Sequence, residues 1–213
     1  MDYSILFANF DRLEKYLNIP SGFLEKLINE DDWSFIIKSH AIIKASITDI
    51  VVENTDKRLI KVINRLPFSG GQTSKLSLAI DLELVDDYSR EFIKLLSELR
   101  NQLVHNVNYL AFTFDKYIKE LPDSDRSLLG TSITKAIAAN EWKTFEAVSS
   151  ELVLKSTKVT IMFAVLGVLA RILFKIDPKE YELAAKRAEE TVPKLALLIL
   201  VVILIGSLME KNK

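Results

Sequence analysis

Apolar residues recur at intervals of three and four along almost the whole chain, and no stretch alternates apolar with polar for long. The pattern predicts helices and no sheet. A first helix over residues 3–17 stops ahead of Asn18, Ile19 and Pro20, because proline disfavours the helical region for the residue before it. Ser21 is placed to cap a short second helix, and Asp31 or Asp32 to open a long one that runs to about Glu53. Asp56 to Leu66 reads as another short helix. Residues 67–74, PFSGGQTS, form the clearest loop in the chain. Helices resume at Lys75–Leu84, start again at Asp86 or Asp87 to carry YSREFIKLLSELRNQLVHNV, and end a short stretch near Leu121. Two more follow, Ser124–Ala139 and Glu141 to about Ile176. The fold class is all-α.

Two apolar runs stand apart from this amphipathic rhythm. Residues 195–209, LALLILVVILIGSLM, carry no charge over a helical length of about 22 Å, against a hydrocarbon core of about 30 Å. With Val192 and Pro193 added, and with Lys194 and Lys211 snorkelling, residues 192–209 are expected to be a membrane anchor; the competing reading is a buried helix or an oligomer contact. Residues 159–174, VTIMFAVLGVLARILF, are either a first membrane helix or the closing helix of a soluble bundle, since Arg171 interrupts the run. A charged linker helix over 178–190 joins the two. Lys and Arg flank both runs, so charge sets no orientation.

Composition narrows the function classes. The 213 residues hold 28 basic and 29 acidic side chains, a net charge of −1, so no global positive field gathers nucleic acid and any such contact must be local. Cysteine is absent, which excludes a disulfide framework, a thiolate metal site and a cysteine nucleophile. The N-terminal residues lack a signal-peptide pattern, and an intracellular or membrane-attached setting is expected. The acidic residues show no metal-ligand spacing, Gly70 and Gly71 are not in phosphate-loop register, and no cofactor is expected.

Chemistry gathers on one helix. On a wheel of about 100° per residue with Phe92 at zero, Phe92, Leu96, Leu99, Leu103 and Val107 fall in one narrow sector, the core stripe. Asn101 and His105 lie opposite, one turn apart, and Arg100 sits on the flank where its guanidinium can swing toward them. Imidazole, amide and guanidinium together suit phosphodiester cleavage. Histidine moves protons near neutral pH, and arginine presents a planar fork to phosphate. One helix supplies half of what in-line cleavage needs; two facing helices would supply both the acid and the base. A solvated surface face is the plain alternative for this trio. His40, in SFIIKSHAIIKAS, reads as a core histidine, and Asp86 and Asp87 as a helix cap.

LRNQLVHN at 99–106 resembles the signature of the HEPN superfamily (higher eukaryotes and prokaryotes nucleotide-binding domain), in which an Arg, often followed by a polar residue, precedes a His by four intervening positions. Arg100, Asn101 and His105 match it. The wider stretch SKLSLAIDLELVDDYSREFIKLLSELRNQLVHNVNYLAFTFDKYI at 74–118 is similar to the mannitol operon repressor-like members. The resemblance covers roughly residues 32–120 and the helix after 141 and implies a HEPN-like helical bundle, placed over 31–155; the sequence pattern adds a helical extension over 1–30 and a hydrophobic region over 156–213. It implies a homodimer in which two motif helices meet to form a metal-independent endoribonuclease site for RNA, of a toxin or anti-phage type, with an antitoxin or regulatory protein as partner. His105 would be general acid and base, Arg100 the phosphate ligand, and Asn101 the residue that orients either. Toxins of the superfamily often carry a Tyr two residues after the His; Val107 stands there, with Tyr109 two further on. The alternative is a non-catalytic regulator or scaffold that offers the same face to a protein. With the apolar tail, the expected location is a bacterial inner membrane with the domain facing the cytoplasm, or otherwise the cytoplasm.

Overall fold

The computed structural model describes residues 14–15, 17–138 and 150–176. All regular structure among them is helical: α1 (Phe23–Ile28), α2 (Asp32–Glu53), α3 (Ile60–Arg65), α4 (Lys75–Asp81), α5 (Asp87–His105), α6 (Phe114–Glu120), α7 (Asp123–Ala138), α8 (Ser150–Lys155) and α9 (Thr157–Ile176), with short 3-10 turns at Lys57–Leu59 and Val107–Tyr109. The four long helices pack in a closed ring, α2 on α5, α5 on α7, α7 on α9 and α9 back on α2. Shorter helices cover the outside, α1, α3 and α4 against α2 and α8 against α7.

Local chemistry explains where the helices start. Asp31 accepts a bond from Ser34 N at 2.9 Å, Asp56 from Arg58 N at 2.8 Å and Asp86 from Ser89 N at 2.8 Å, each satisfying an amide that the first turn leaves free. The expected Ser21 cap is replaced. Gly22 takes the cap position with φ 74°, and the Glu14 carboxylate accepts from Gly22 N at 2.6 Å and Leu24 N at 2.7 Å. A buried carboxylate that grips two amides outcompetes one local hydroxyl.

Residues 150–176 are two helices and not the end of one. Ser156 is a turn, and Thr157 Oγ1 donates to Leu154 O at 2.6 Å, so a hydroxyl takes a carbonyl that a continuous helix would bond through its backbone. Of the two readings of 159–174, the closing helix of the bundle is the one the fold takes. α9 is the closing wall of the ring, with Ile161, Phe163, Val165, Val168, Leu169 and Ile172 buried in the core shared with α2 and α5. Arg171 explains why the run is interrupted, because its Nε lies 2.9 Å from Ser89 Oγ and 3.0 Å from Asp86 Oδ2. No helix among the described residues is long and apolar enough to cross a membrane. The linker helix at 178–190, the anchor at 192–209 and most of the helix at 3–17 lie outside the described residues.

Leu24 and Leu27 of α1 and the apolar face of α9 belong to the same core cluster as Phe35, Ile43 and Phe92. Each fully buried side chain of this size contributes about 1.5–3 kcal/mol. Truncating a central one, such as Leu96→Ala, is expected to cost about 2–5 kcal/mol.

Candidate functional site

The amphipathic pattern of α5 places the site. Phe92, Leu96, Leu99 and Leu103 are buried against α2 and α7, which leaves the opposite face outward. Val107 departs from the expected stripe and is 79% exposed, because the helix ends at His105 and Asn106 turns extended, at φ −134° and ψ 111°, to cap the next 3-10 turn. The last helical turn is held from α2. Trp33 Nε1 donates to Leu103 O at 3.3 Å, meeting one of the carbonyls that a helix end leaves without an amide.

Asn101 and His105 are exposed on the outward face, and Arg100 is half-buried at its edge. The guanidinium crosses from the flank, and Arg100 Nη1 donates to Asn101 Oδ1 at 3.1 Å. That bond orients the amide, leaving Asn101 Nδ2 and the other guanidinium N–H groups available as donors. The structure therefore brings Arg100 and Asn101 into contact. His105 shares their outward face one turn on, with no bond to either.

His40 is the core histidine that the sequence suggests, 8% exposed on α2. Its Nε2 lies 3.2 Å from Ser97 Oγ, and Ser97 Oγ donates its own proton to Ile93 O at 2.7 Å, so the imidazole nitrogen is the donor of the pair. The ring also meets Phe68 edge to face at 5.2 Å between centroids. Burial, and then the nearby positive charges of Arg100 and Lys44, hold His40 down at a pKa of about 4. It is a neutral brace behind the site, joining the loop, α2 and α5.

A feature that motif reading missed lies in front of that brace. A cavity of about 490 Å³ separates the loop and α4 from the outward face of α5. Gly70, Gly71 and Asp81 stand on one side; Lys94, Ser97, Glu98 and Asn101 stand on the other. Gly70 and Gly71 have φ 95° and 76°, a left-handed pair that side-chain-bearing residues resist, while a Cβ at either would meet only open space. Glycine is needed there for the turn, not for close approach. The loop is braced at its base by Lys75 N to Pro67 O at 2.9 Å and Leu76 N to Phe68 O at 3.0 Å, and across its width by Ser77 Oγ to Gly71 O at 3.2 Å. The available signal was the polar stripe of α5, which continues from His105 and Asn101 back through Glu98 and Lys94. What faces it is set by a fold-level contact.

Among the described residues, no group of three or more His, Asp or Glu side chains is placed to hold a metal ion. Comparisons with family models, with curated proteins and with solved structures find no match to this chain. Arg100, Asn101 and His105, presented by α5, carry the candidate chemistry.

Proposed function

We propose that the outward face of α5 is half of a metal-independent endoribonuclease site, completed by the same face of a second copy. The observation that carries this reading is the Arg100 to Asn101 contact on the face that His105 shares. The guanidinium and amide hold a phosphate and the charge that develops on it, as electrostatic stabilisation requires. His105 removes the proton of a ribose 2′-hydroxyl, whose oxygen attacks phosphorus. The 5′-oxygen leaves and takes a proton from the partner subunit's His105, giving a 2′,3′-cyclic phosphate and a 5′-hydroxyl end. The resemblance to HEPN proteins favours a toxin or anti-phage role and a protein antitoxin, and the uncharged run at 195–209 favours tethering to the inner membrane through 192–209.

The test compares wild type with His105→Ala on single-stranded RNA with EDTA present. Cleavage by wild type and its loss in the variant are expected; equal cleavage by both, or none by either while the dimer persists, removes the reading. Tethering is tested separately. Full-length protein should resist alkaline carbonate extraction, and a chain ending at Thr191 should not.

A second reading has its own observation. Val107 and Leu110, 79% and 73% exposed, follow the motif directly and give the face an apolar rim of the kind that protein partners cover. A regulator that binds a protein there would retain its partner in His105→Ala and lose it in Val107→Asp.

A further inference from the structure

We infer that the cavity between the Gly70–Gly71 loop and α5 is a nucleotide subsite that reads one base of the RNA beside the cleaved bond, with Glu98 as the specificity-determining residue. The inference rests on the nuclease reading for its ligand and on the cavity for its chemistry.

Unspent charge of both signs faces one space. Arg90, at the far end, is engaged with Asp87 at 3.3 Å and Glu91 at 3.0 Å. Lys94, Asp81 and Glu98 are exposed and line the cavity, and among the described residues their side chains make no hydrogen bond or ion pair. An ammonium and a carboxylate one turn apart on α5, with no ion pair between them and a second carboxylate opposite, fit a ligand that carries both an anionic group and N–H donors. A nucleotide is such a molecule, and a volume of about 490 Å³ admits one. Asn101 belongs to both the cavity wall and the Arg100 contact, so the cavity opens directly onto the phosphate position. The helical rise from Lys94 to Asn101 is about 10 Å. One nucleotide spans it when its outer phosphate meets the flexible Lys94 side chain and its inner phosphate meets Arg100.

The carboxylate selects the base. Single-stranded RNA is read on base edges that are splayed out of the stack. Guanine presents N1–H and the N2 amino group side by side and can bond both oxygens of Glu98. Adenine and cytosine offer one amino group beside a ring acceptor, and uracil sets its single N–H between two carbonyls that repel a carboxylate. The expected order is guanine first and uracil last. A bidentate contact discriminates by about tenfold or more.

The experiment titrates full-length wild type, Glu98→Gln and His105→Ala with GMP and with UMP, following NMR shifts, and measures cleavage of short RNAs that differ only in the base beside the cleaved bond. Wild type should bind GMP about tenfold more tightly than UMP and cleave beside guanine by a similar factor. Glu98→Gln should bring both ratios to within about twofold, and His105→Ala should keep the binding ratio while losing cleavage. Lys94→Gln, at an exposed position, should weaken both nucleotides alike. Equal affinity for GMP and UMP, or a guanine preference that survives in Glu98→Gln, overturns the subsite whether or not RNA is cleaved. Glu98-dependent GMP binding without any RNA cleavage by wild type upholds the pocket, makes free nucleotide its ligand and removes the nuclease reading.

Discussion

Arg171 on α9 reaches Asp86 at the start of α5, its Nε 3.0 Å from Asp86 Oδ2, and so ties the closing helix to the N-cap of the motif helix. The two partners are unequal: Arg171 is 14% exposed and Asp86 is 38% exposed. Removing the acid takes away a helix cap and leaves a largely buried guanidinium without this carboxylate, whereas removing the base leaves a carboxylate that still accepts from Ser89 N and Ser89 Oγ. Asp86→Ala should therefore cost about 2–3 kcal/mol and Arg171→Met about 1 kcal/mol. The double variant should lose less than the sum, because the coupling between partners is counted once. Urea unfolding of the four proteins measures this, and equal losses for the two single variants would show that burial of Arg171 is not what sets the cost.

Acid should weaken the fold through His40. Its pKa is near 6.5 in an unfolded chain and about 4 in the native state, so between these values the unfolded chain binds a proton that the native state refuses. The stabilisation is complete above pH 6.5 and falls as pH drops toward 4. Its size is about 3 kcal/mol, set by desolvation of the ring first and by Arg100 and Lys44 after it. His40→Gln keeps a donor for Ser97 but does not titrate. Wild type should lose about 3 kcal/mol more than this variant between pH 7 and pH 4, read from unfolding midpoints at both pH values.

The helix starts near Asp31, Asp56 and Asp86 were legible in the sequence because a helix cap acts within three residues, but which aspartate of the pairs 31–32 and 86–87 does the capping was not. The outward face of Asn101 and His105 was legible for a similar reason, since α5 has a single apolar stripe and its period fixes the opposite side. The run at 159–174 was not. An apolar helix satisfies lipid and a protein core equally well, and the choice lies in Arg171 meeting Ser89, 82 positions earlier in the chain. Glu14 displacing Ser21 is a smaller case of the same kind. The cavity belongs to this class too: Gly70 and Gly71 announce a turn, but only the packing of α2 against both α4 and α5 sets that turn opposite Lys94 and Glu98.

Trp33 should matter to activity as well as to stability. Its indole holds Leu103 O at 3.3 Å, two residues before His105, where the helix has no amide left to do so. Trp33→Phe removes that bond and a little packing, costing about 1–2 kcal/mol. The freed turn frays, so amides at Val104, His105 and Asn106 should exchange faster than those at Leu96 and Leu99 in the same variant. RNA cleavage should fall about tenfold at a temperature where both proteins are fully folded, a misplacement effect. Uniformly faster exchange along α5 would mean that Trp33 serves the core and not the site.

The Arg100 to Asn101 contact makes one further demand that separates charge from shape. A guanidinium can hold Asn101 Oδ1 with Nη1 and still present N–H groups in one plane to a phosphate, whereas the ammonium of Arg100→Lys carries the charge without the fork. Binding of RNA should weaken by only a few fold in the lysine variant, since the electrostatic attraction persists. Its kcat should fall by about 10²-fold, the scale on which a donor aimed at transition-state charge operates. His40 reports on the same substitution independently. Arg100 is one of the charges that hold its pKa down, so an NMR titration of the His40 ring should read near wild type in Arg100→Lys and higher in Arg100→Gln. If Arg100→Lys shows the expected titration and an unchanged kcat, the side chain is present and charged at its position but is not the ligand of the reacting phosphate, and that role passes to Asn101 or to Lys94.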